Sequence, residues 1–281
     1  MVDLHSHSTA SDGVLTPSEL VLEAAKKGVT VLALTDHDTV AGIEEAKTAA
    51  VEAGMTLVPG IELNINWPTG EFHLLGLGLK NISESLSSII CNLQNDRLNR
   101  NKRIIQNIRD AGHDVCFEEL EAIAGGECIG RPHIAAYLME KKIVRTRQQA
   151  FDKYLAKGMP WYVARSGADV DESVQAIIES GGVPVLAHPM SLFLSWKKLP
   201  DILQNLHERG ILGLEAWHPG ARENDCRRLE TMAREIGFFV TAGSDYHGKA
   251  VRADRELGMT AGRYKIADRF WFEELKPHLS V

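Results

Sequence analysis

At 281 residues, 44% hydrophobic and 25% charged, the chain can bury one large core or two modest ones, which excludes an intrinsically disordered protein. Its 31 basic and 38 acidic residues give a formal charge of -7, which argues against a surface made to coat nucleic acid but leaves room for anionic substrates, since bound divalent cations reverse the local field. Without a basic, apolar leader, a run near the roughly 18 apolar residues of a membrane span, or a Cys-x-x-Cys pair among Cys91, Cys116, Cys128 and Cys226, the expectation is a soluble, cytoplasmic protein with reduced thiols.

Val2 to His5 reads as a short strand. Thr16-Pro17-Ser18-Glu19 opens a helix, with Thr as cap and Pro in the first turn, and Gly28 stops it. Val29 to Leu34 is an apolar strand ending at Thr35-Asp36-His37, and a helix follows from about Thr39 to Gly54. Thr56 to Ile61 and Glu71 to Leu77 are strands around a Trp67-Pro68-Thr69-Gly70 turn. This βαβα opening is typical of a parallel α/β sheet or barrel.

From Ile82 to Arg165 strand signals vanish, and Ile104, Ile105, Ile108, then Leu138, Ile143, Phe151 and Leu155 recur at helical spacing. Residues 82–165 are therefore expected as an inserted helical, substrate-capping subdomain, with 1–81 and 166–281 forming the body. Between Asn92 and Arg165 stand 13 Lys/Arg and 9 Asp/Glu, a net +4 that leaves -11 for the remainder. A basic cap over an acidic body fits an anionic substrate held between them; an ordinary solvated helical face is the other reading. The alternation then resumes with strands Val183 to Ala187, Ile211 to Ala216 and Phe238 to Ala242, each preceded by a helix. They run into His188-Pro189, Trp217-His218-Pro219 and Gly243-Ser244-Asp245-Tyr246-His247.

Side chains alternate along an extended chain, so His5 and His7 project to one face and can chelate one ion. A lone His-x-His also arises by chance, and Asp12 beside Gly13 is by itself more often a turn residue. Their weight comes from company: His5-Ser6-His7 with Ser11-Asp12-Gly13, Thr35-Asp36-His37-Asp38, Pro59-Gly60-Ile61-Glu62, His73, Ala187-His188-Pro189 and Ser244-Asp245-Tyr246-His247. Most of these phrases close or follow an apolar strand, where barrel-like α/β enzymes keep their chemistry.

In this order the phrases resemble the polymerase and histidinol phosphatase (PHP) family of metal-dependent phosphoesterases over nearly the whole chain. The resemblance implies an α/β fold, a distorted (β/α)7 TIM-like barrel, with three divalent ions at the strand C-termini. One would be held by His5, His7, Glu62 and Asp245, a second by Glu62, His73 and His188, and a third by Asp12, His37 and His247. The family usually works with manganese, while mixed imidazole and carboxylate ligands also admit iron or zinc. Asp36 and Asp38 either orient imidazoles or cap the helix near Thr39, with capping preferred for Asp38. His113, His207 and His278 are read as surface histidines.

Gly130-Arg131-Pro132-His133-Ile134-Ala135, with Arg97 and Arg100, resembles the branch of the family that hydrolyses nucleotide phosphates, including 3',5'-nucleotide bisphosphate phosphatases and relatives that trim short RNA from the 5' end. That resemblance implies substrate binding by Arg97, Arg100, Arg131 and His133, the arginine fork matching phosphate oxygens; Lys102 and Arg103 read as wet helix surface. The expected reaction is phosphoester hydrolysis by a metal-bridging hydroxide, with His218, after its own strand, as the catalytic acid for the leaving ribose oxygen. The substrate would be a small nucleotide or short oligonucleotide, with no membrane and no long duplex as partner. A histidinol-phosphatase-like monoesterase, an amidohydrolase attacking a carbonyl and a non-catalytic PHP accessory module are the alternatives. No nucleophilic triad, Walker or dinucleotide pattern appears, so no cofactor beyond metal is expected.

Overall fold

The computed structural model describes residues 1–124 and 129–279; of the individual residues singled out above, Cys128 lies outside that range. Helix α1 (Pro17–Lys26) begins as its sequence dictates: the Thr16 side chain accepts from the Glu19 N–H while the Glu19 carboxylate accepts from the Thr16 N–H, a reciprocal cap that satisfies two otherwise open donors. Helix α2 (Ile43–Glu52) starts four residues later than its sequence signals suggest, after Gly42.

Among the described residues seven strands lie side by side in chain order: β1 (Val2–Asp3), β2 (Val31–Leu34), β3 (Thr56–Ile65), β4 (Phe72–Leu77), β5 (Val183–Leu186), β6 (Gly213–Trp217) and β7 (Phe239–Ala242). Bonds from Leu4 N to Ala242 O and His7 N to Tyr246 O, with a Ser6–Tyr246 bridge, bring the first strand against the last. The result is a nearly closed mixed barrel surrounded by helices. The parallel pattern of the βαβα opening is interrupted at β4, which pairs antiparallel with both β3 and β5. The turn between Ile65 and Phe72 is too short for a crossover helix, so the chain must reverse there.

Main-sheet side chains such as Leu63, Leu74, Leu186 and Leu214, which share one face by register, pack under the surrounding helices. Helix α3 (Glu84–Asp110) joins two apolar regions: Leu86, Ile90 and Leu93 belong to the barrel core, whereas Ile104, Ile105 and Ile108 belong to a cluster confined to residues 104–163. Helices α4 (Phe117–Ala124), α5 (Arg131–Glu140) and α6 (Arg147–Ala150) complete that segment. Helices α7 (Val170–Glu179), α8 (Leu199–Glu208) and α9 (Glu223–Ile236) alternate with the last three strands. No helix among the described residues is long and apolar enough to cross a membrane.

Candidate metal centre

Strand ends deliver the candidate ligands. His5 and His7 follow β1, His37 follows β2, His188 follows β5, and Asp245 and His247 follow β7. Glu62 and His73 come from the antiparallel pair, where Glu62 stands opposite Leu75; His73, two residues from Leu75, therefore shares the face of Glu62. Asp12 comes from the loop after β1. That loop is held by Asp36, whose carboxylate accepts from Ser8 N, Ser8 Oγ and Ser11 Oγ at 2.7, 2.6 and 2.6 Å. Asp36 thus orients the loop carrying Asp12, not an imidazole.

The Glu62 carboxylate is the hub. Its Oε1 lies 2.9 Å from His73 Nδ1 and 3.0 Å from His188 Nε2. Oε2 lies 2.9 Å from His37 Nδ1, 3.4 Å from His5 Nε2 and 3.3 Å from His7 Nε2. Asp245 Oδ1 faces His7 Nε2 at 3.4 Å and His5 Nε2 at 3.7 Å. Asp12 Oδ1 lies 3.2 Å from His247 Nε2 and 4.0 Å from His37 Nε2.

Protons alone fit this packing poorly. His5 Nε2 and His7 Nε2 face each other at 3.1 Å, so at most one can carry a hydrogen between them. His7 Nδ1, Asp12 Oδ1 and Glu62 Oε2 are buried without a hydrogen bond of good geometry among the described residues. A divalent cation explains the spacing, because neighbouring ligands about 2.1 Å from an ion stand roughly 3.0–3.4 Å apart in octahedral or tetrahedral arrangements. Four groups have ligand atoms within 4.8 Å of one another: His7, Asp12, His37 and His247; His5, His7 and Asp245; His5, Glu62 and His188; and His37, Glu62 and His73. All nine sequence candidates fall in this one patch. The grouping is more shared than the partition drawn from the sequence: His7 also stands with Asp12, His37 and His247, and His37 also with Glu62 and His73.

Burial disfavours charge on every group here, and the facing groups largely override it. Against burial, His37, His73 and His5 hold the Glu62 carboxyl well below the ordinary range, and His247 and His37 do the same for Asp12. Against burial, Asp12 and Asp245 raise His247 to about 9, while Glu215 and Glu62 raise His5. Burial, with His247 and His37 close by, takes His7 down to about 3.

His218 follows β6. Its Nδ1 accepts the Gly220 N–H at 3.0 Å, which places the ring hydrogen on Nε2, 3.2 Å from Asp245 Oδ2. Both ring nitrogens are therefore engaged by the protein, and the other Asp245 oxygen is left facing His5 and His7. Asp38 does not cap α2, which starts too far along the chain. It takes a left-handed φ of 53°, and its buried carboxylate accepts from Arg97 Nη2 at 2.7 Å, from Arg165, and from Asn64 N at 3.1 Å.

Arg97 and Arg100 are only 4% and 5% exposed, not a wet helix face, whereas Lys102 and Arg103 are exposed. Arg100 donates to Asn101 Oδ1, and burial together with Arg165, Arg97 and Arg131 holds its pKa well below the usual guanidinium value. Arg131 pairs with Glu71 at 3.0 Å, two residues from His73. His133 Nδ1 accepts the Gly130 N–H, and a β-carbon on Gly130 would stand 3.3 Å from Asp12 Oδ2, so the start of α5 abuts the ligand patch. Of the other histidines, His278 is exposed, while His113 and His207 are half-buried, edge-on to Trp161 and Phe238.

Three polar residues beside the patch escaped the sequence: Arg165, Arg255 and Glu215. Arg255, 3.9 Å from Asp245 Oδ2, and Arg165 sit in irregular segments without a local signature. Glu215 had one, a single carboxylate inside an apolar strand.

Residues 3–158 match the PHP domain family. A 5'-3' exoribonuclease from Haemophilus influenzae is 36% identical, over 87% of this chain and 89% of its own length. A 3',5'-nucleoside bisphosphate phosphatase from Chromobacterium violaceum is 30% identical, over 97% of this chain and 95% of its own. A solved structure described as a metal-dependent phosphoesterase, from Bifidobacterium adolescentis, aligns with a TM-score of 0.85 at 32% identity, covering 98% of this chain and 95% of that one.

Proposed function

The chain belongs to the PHP family of metal-dependent phosphoesterases, and from that premise we propose that this hydrolase acts on nucleotide phosphate esters: a 3',5'-nucleotide bisphosphate or the 5' end of a short RNA. The observation that carries the reading is Glu62, whose two oxygens face five imidazoles, beside a group of buried arginines. We assign three divalent ions, manganese with iron or zinc as alternatives, to His5, His7, Asp12, His37, Glu62, His73, His188, Asp245 and His247. Bound there, such ions supply Lewis acidity and a reactive water at neutral pH.

The chain's own groups supply position and charge. Arg97, Arg100, Arg131 and His133 would grip phosphate, and cations already crowded around Arg100 favour an anion among them. His218 would protonate the departing ribose oxygen only as an imidazolium, with Nδ1 released from the Gly220 N–H and its Nε2 hydrogen released from Asp245. Residues 82–165 would cap the substrate as an inserted subdomain, a reading supported by their separate apolar cluster and excess basic charge. A cytoplasmic location and a small nucleotide or oligonucleotide partner complete the proposal.

Metal-stripped protein reloaded with manganese should release phosphate from 3',5'-adenosine bisphosphate or shorten a 5'-phosphorylated RNA stepwise. Turnover of histidinol phosphate or a cyclic amide alone, with both nucleotide substrates untouched, would overturn the assignment.

A further inference from the structure

Resting on the reading that His5 and His188 hold metal, we propose that Glu215 is a positioning residue of the centre: one carboxylate fixes the ring of His5 and the backbone of His188 together. Glu215 is the one charged side chain of β6 and is 1% exposed. Its Oε1 lies 3.0 Å from His5 Nδ1, and its Oε2 accepts the His188 backbone N–H at 2.8 Å. Those partners sit on different strand ends, 210 and 27 residues away, so the contact ties β1, β5 and β6 at the level of the ligands.

An ionised carboxylate only accepts hydrogen bonds. The hydrogen of a neutral His5 ring is therefore held on Nδ1, and Nε2, facing His7 and Glu62, keeps its lone pair for a cation. The second bond supports an uncommon turn. His188 has a φ of 27°, in the left-handed region that a β-carbon disfavours, and this turn directs its Nε2 toward Glu62 Oε1. Packing leaves the carboxylate little freedom: a β-carbon on Gly243 would lie 2.2 Å from His5 Cβ and 2.7 Å from Glu215 Oε1, so the end of β7 presses directly on this contact.

Glu215→Gln keeps the shape and breaks the logic. If the amide oxygen stays on His5, the amide NH2 meets the His188 N–H, donor against donor. If the amide turns over, its NH2 demands that His5 Nδ1 accept, and the ring hydrogen moves to Nε2, where it opposes a cation.

The test titrates metal-stripped wild type, E215Q and the ligand variant H7A with Mn2+, following the free-ion EPR signal. Nitrogen-edited NMR of the metal-free proteins, followed to a pH high enough that His5 is neutral, reads its tautomer, and circular dichroism checks that each is folded. The expected result is binding roughly 10–100-fold weaker in E215Q, an altered His5 ring signal, and a kcat at saturating Mn2+ that falls far less than the affinity. A folded E215Q with wild-type affinity and tautomer overturns the role of Glu215 while leaving the metal reading intact. A wild type that takes up no Mn2+ overturns the metal reading and this inference with it. Should E215Q not fold, the wild-type spectrum decides: a neutral His5 carrying its hydrogen on Nε2 overturns the proposal.

Discussion

Asp38→Asn probes how the buried arginines are tied to the sheet. The Asp38 carboxylate is shared by Arg97, from α3, and Arg165, from the segment that returns to the barrel, and Asn64 N–H of β3 completes its bonds. Removing one side of a buried ion pair costs about 3–5 kcal/mol, because a desolvated charge loses its counterion. In a chain of this size that corresponds to a fall in melting temperature on the order of 10 °C. Arg97→Met should cost less, about 1.5–3 kcal/mol, the range for one hydrogen bond to a charged group, since Asp38 keeps Arg165 and the Asn64 amide. The pH dependence has a definite sign. Against burial, Arg165 and Arg97 hold Asp38 below its ordinary 3.8, so its stabilisation is present above that value and fades as pH falls through the lower folded value. Wild type and D38N should therefore converge in acid. Thermal and urea unfolding of the metal-free proteins measure all three quantities, and a D38N that loses less stability than R97M at neutral pH would refute the reasoning.

Metal uptake should release protons, because His247, raised to about 9, carries a proton at neutral pH in the metal-free chain, and His5 and His188 are shifted in the same direction. Affinity should weaken steadily from pH 9 to pH 6; calorimetry in two buffers of different ionisation enthalpy counts the protons, and a count of zero contradicts the electrostatics. Arg100→Met should raise KM for 3',5'-adenosine bisphosphate at least roughly tenfold, the loss of one charge-assisted contact to phosphate; an unchanged KM in the folded variant would remove Arg100 from substrate binding. Thr16→Ala breaks the reciprocal cap of α1 at a cost of about 1 kcal/mol, seen as a small drop in melting temperature at unchanged kcat.

The convergent patch of nine candidate ligands was legible because metal chemistry restricts residue type: few side chains other than His, Asp and Glu hold a hard or borderline cation, and strand ends are marked by where apolar runs stop. The α/β alternation was legible for the same local reasons. Strand direction at β4 was not, since the run Glu71 to Leu77 looks the same in either orientation and only the short Ile65-to-Phe72 connection decides it. Asp38 was misread because an acid a few residues before a helix resembles a cap, while its true partners Arg97 and Arg165 lie 59 and 127 residues away. Arg97 and Arg100 were read as substrate-binding residues, but their burial by the packing of α3 against the barrel was not visible in the sequence. The partners of Asp38 and the burial of the two arginines depend on long-range contacts that no local pattern encodes.

Anomalous diffraction at the manganese edge from crystals of the reloaded protein bears most directly on the centre. Three peaks within the patch, two of them in contact with Glu62, are the predicted result; no peak there, or metal bound only away from Glu62, would contradict it.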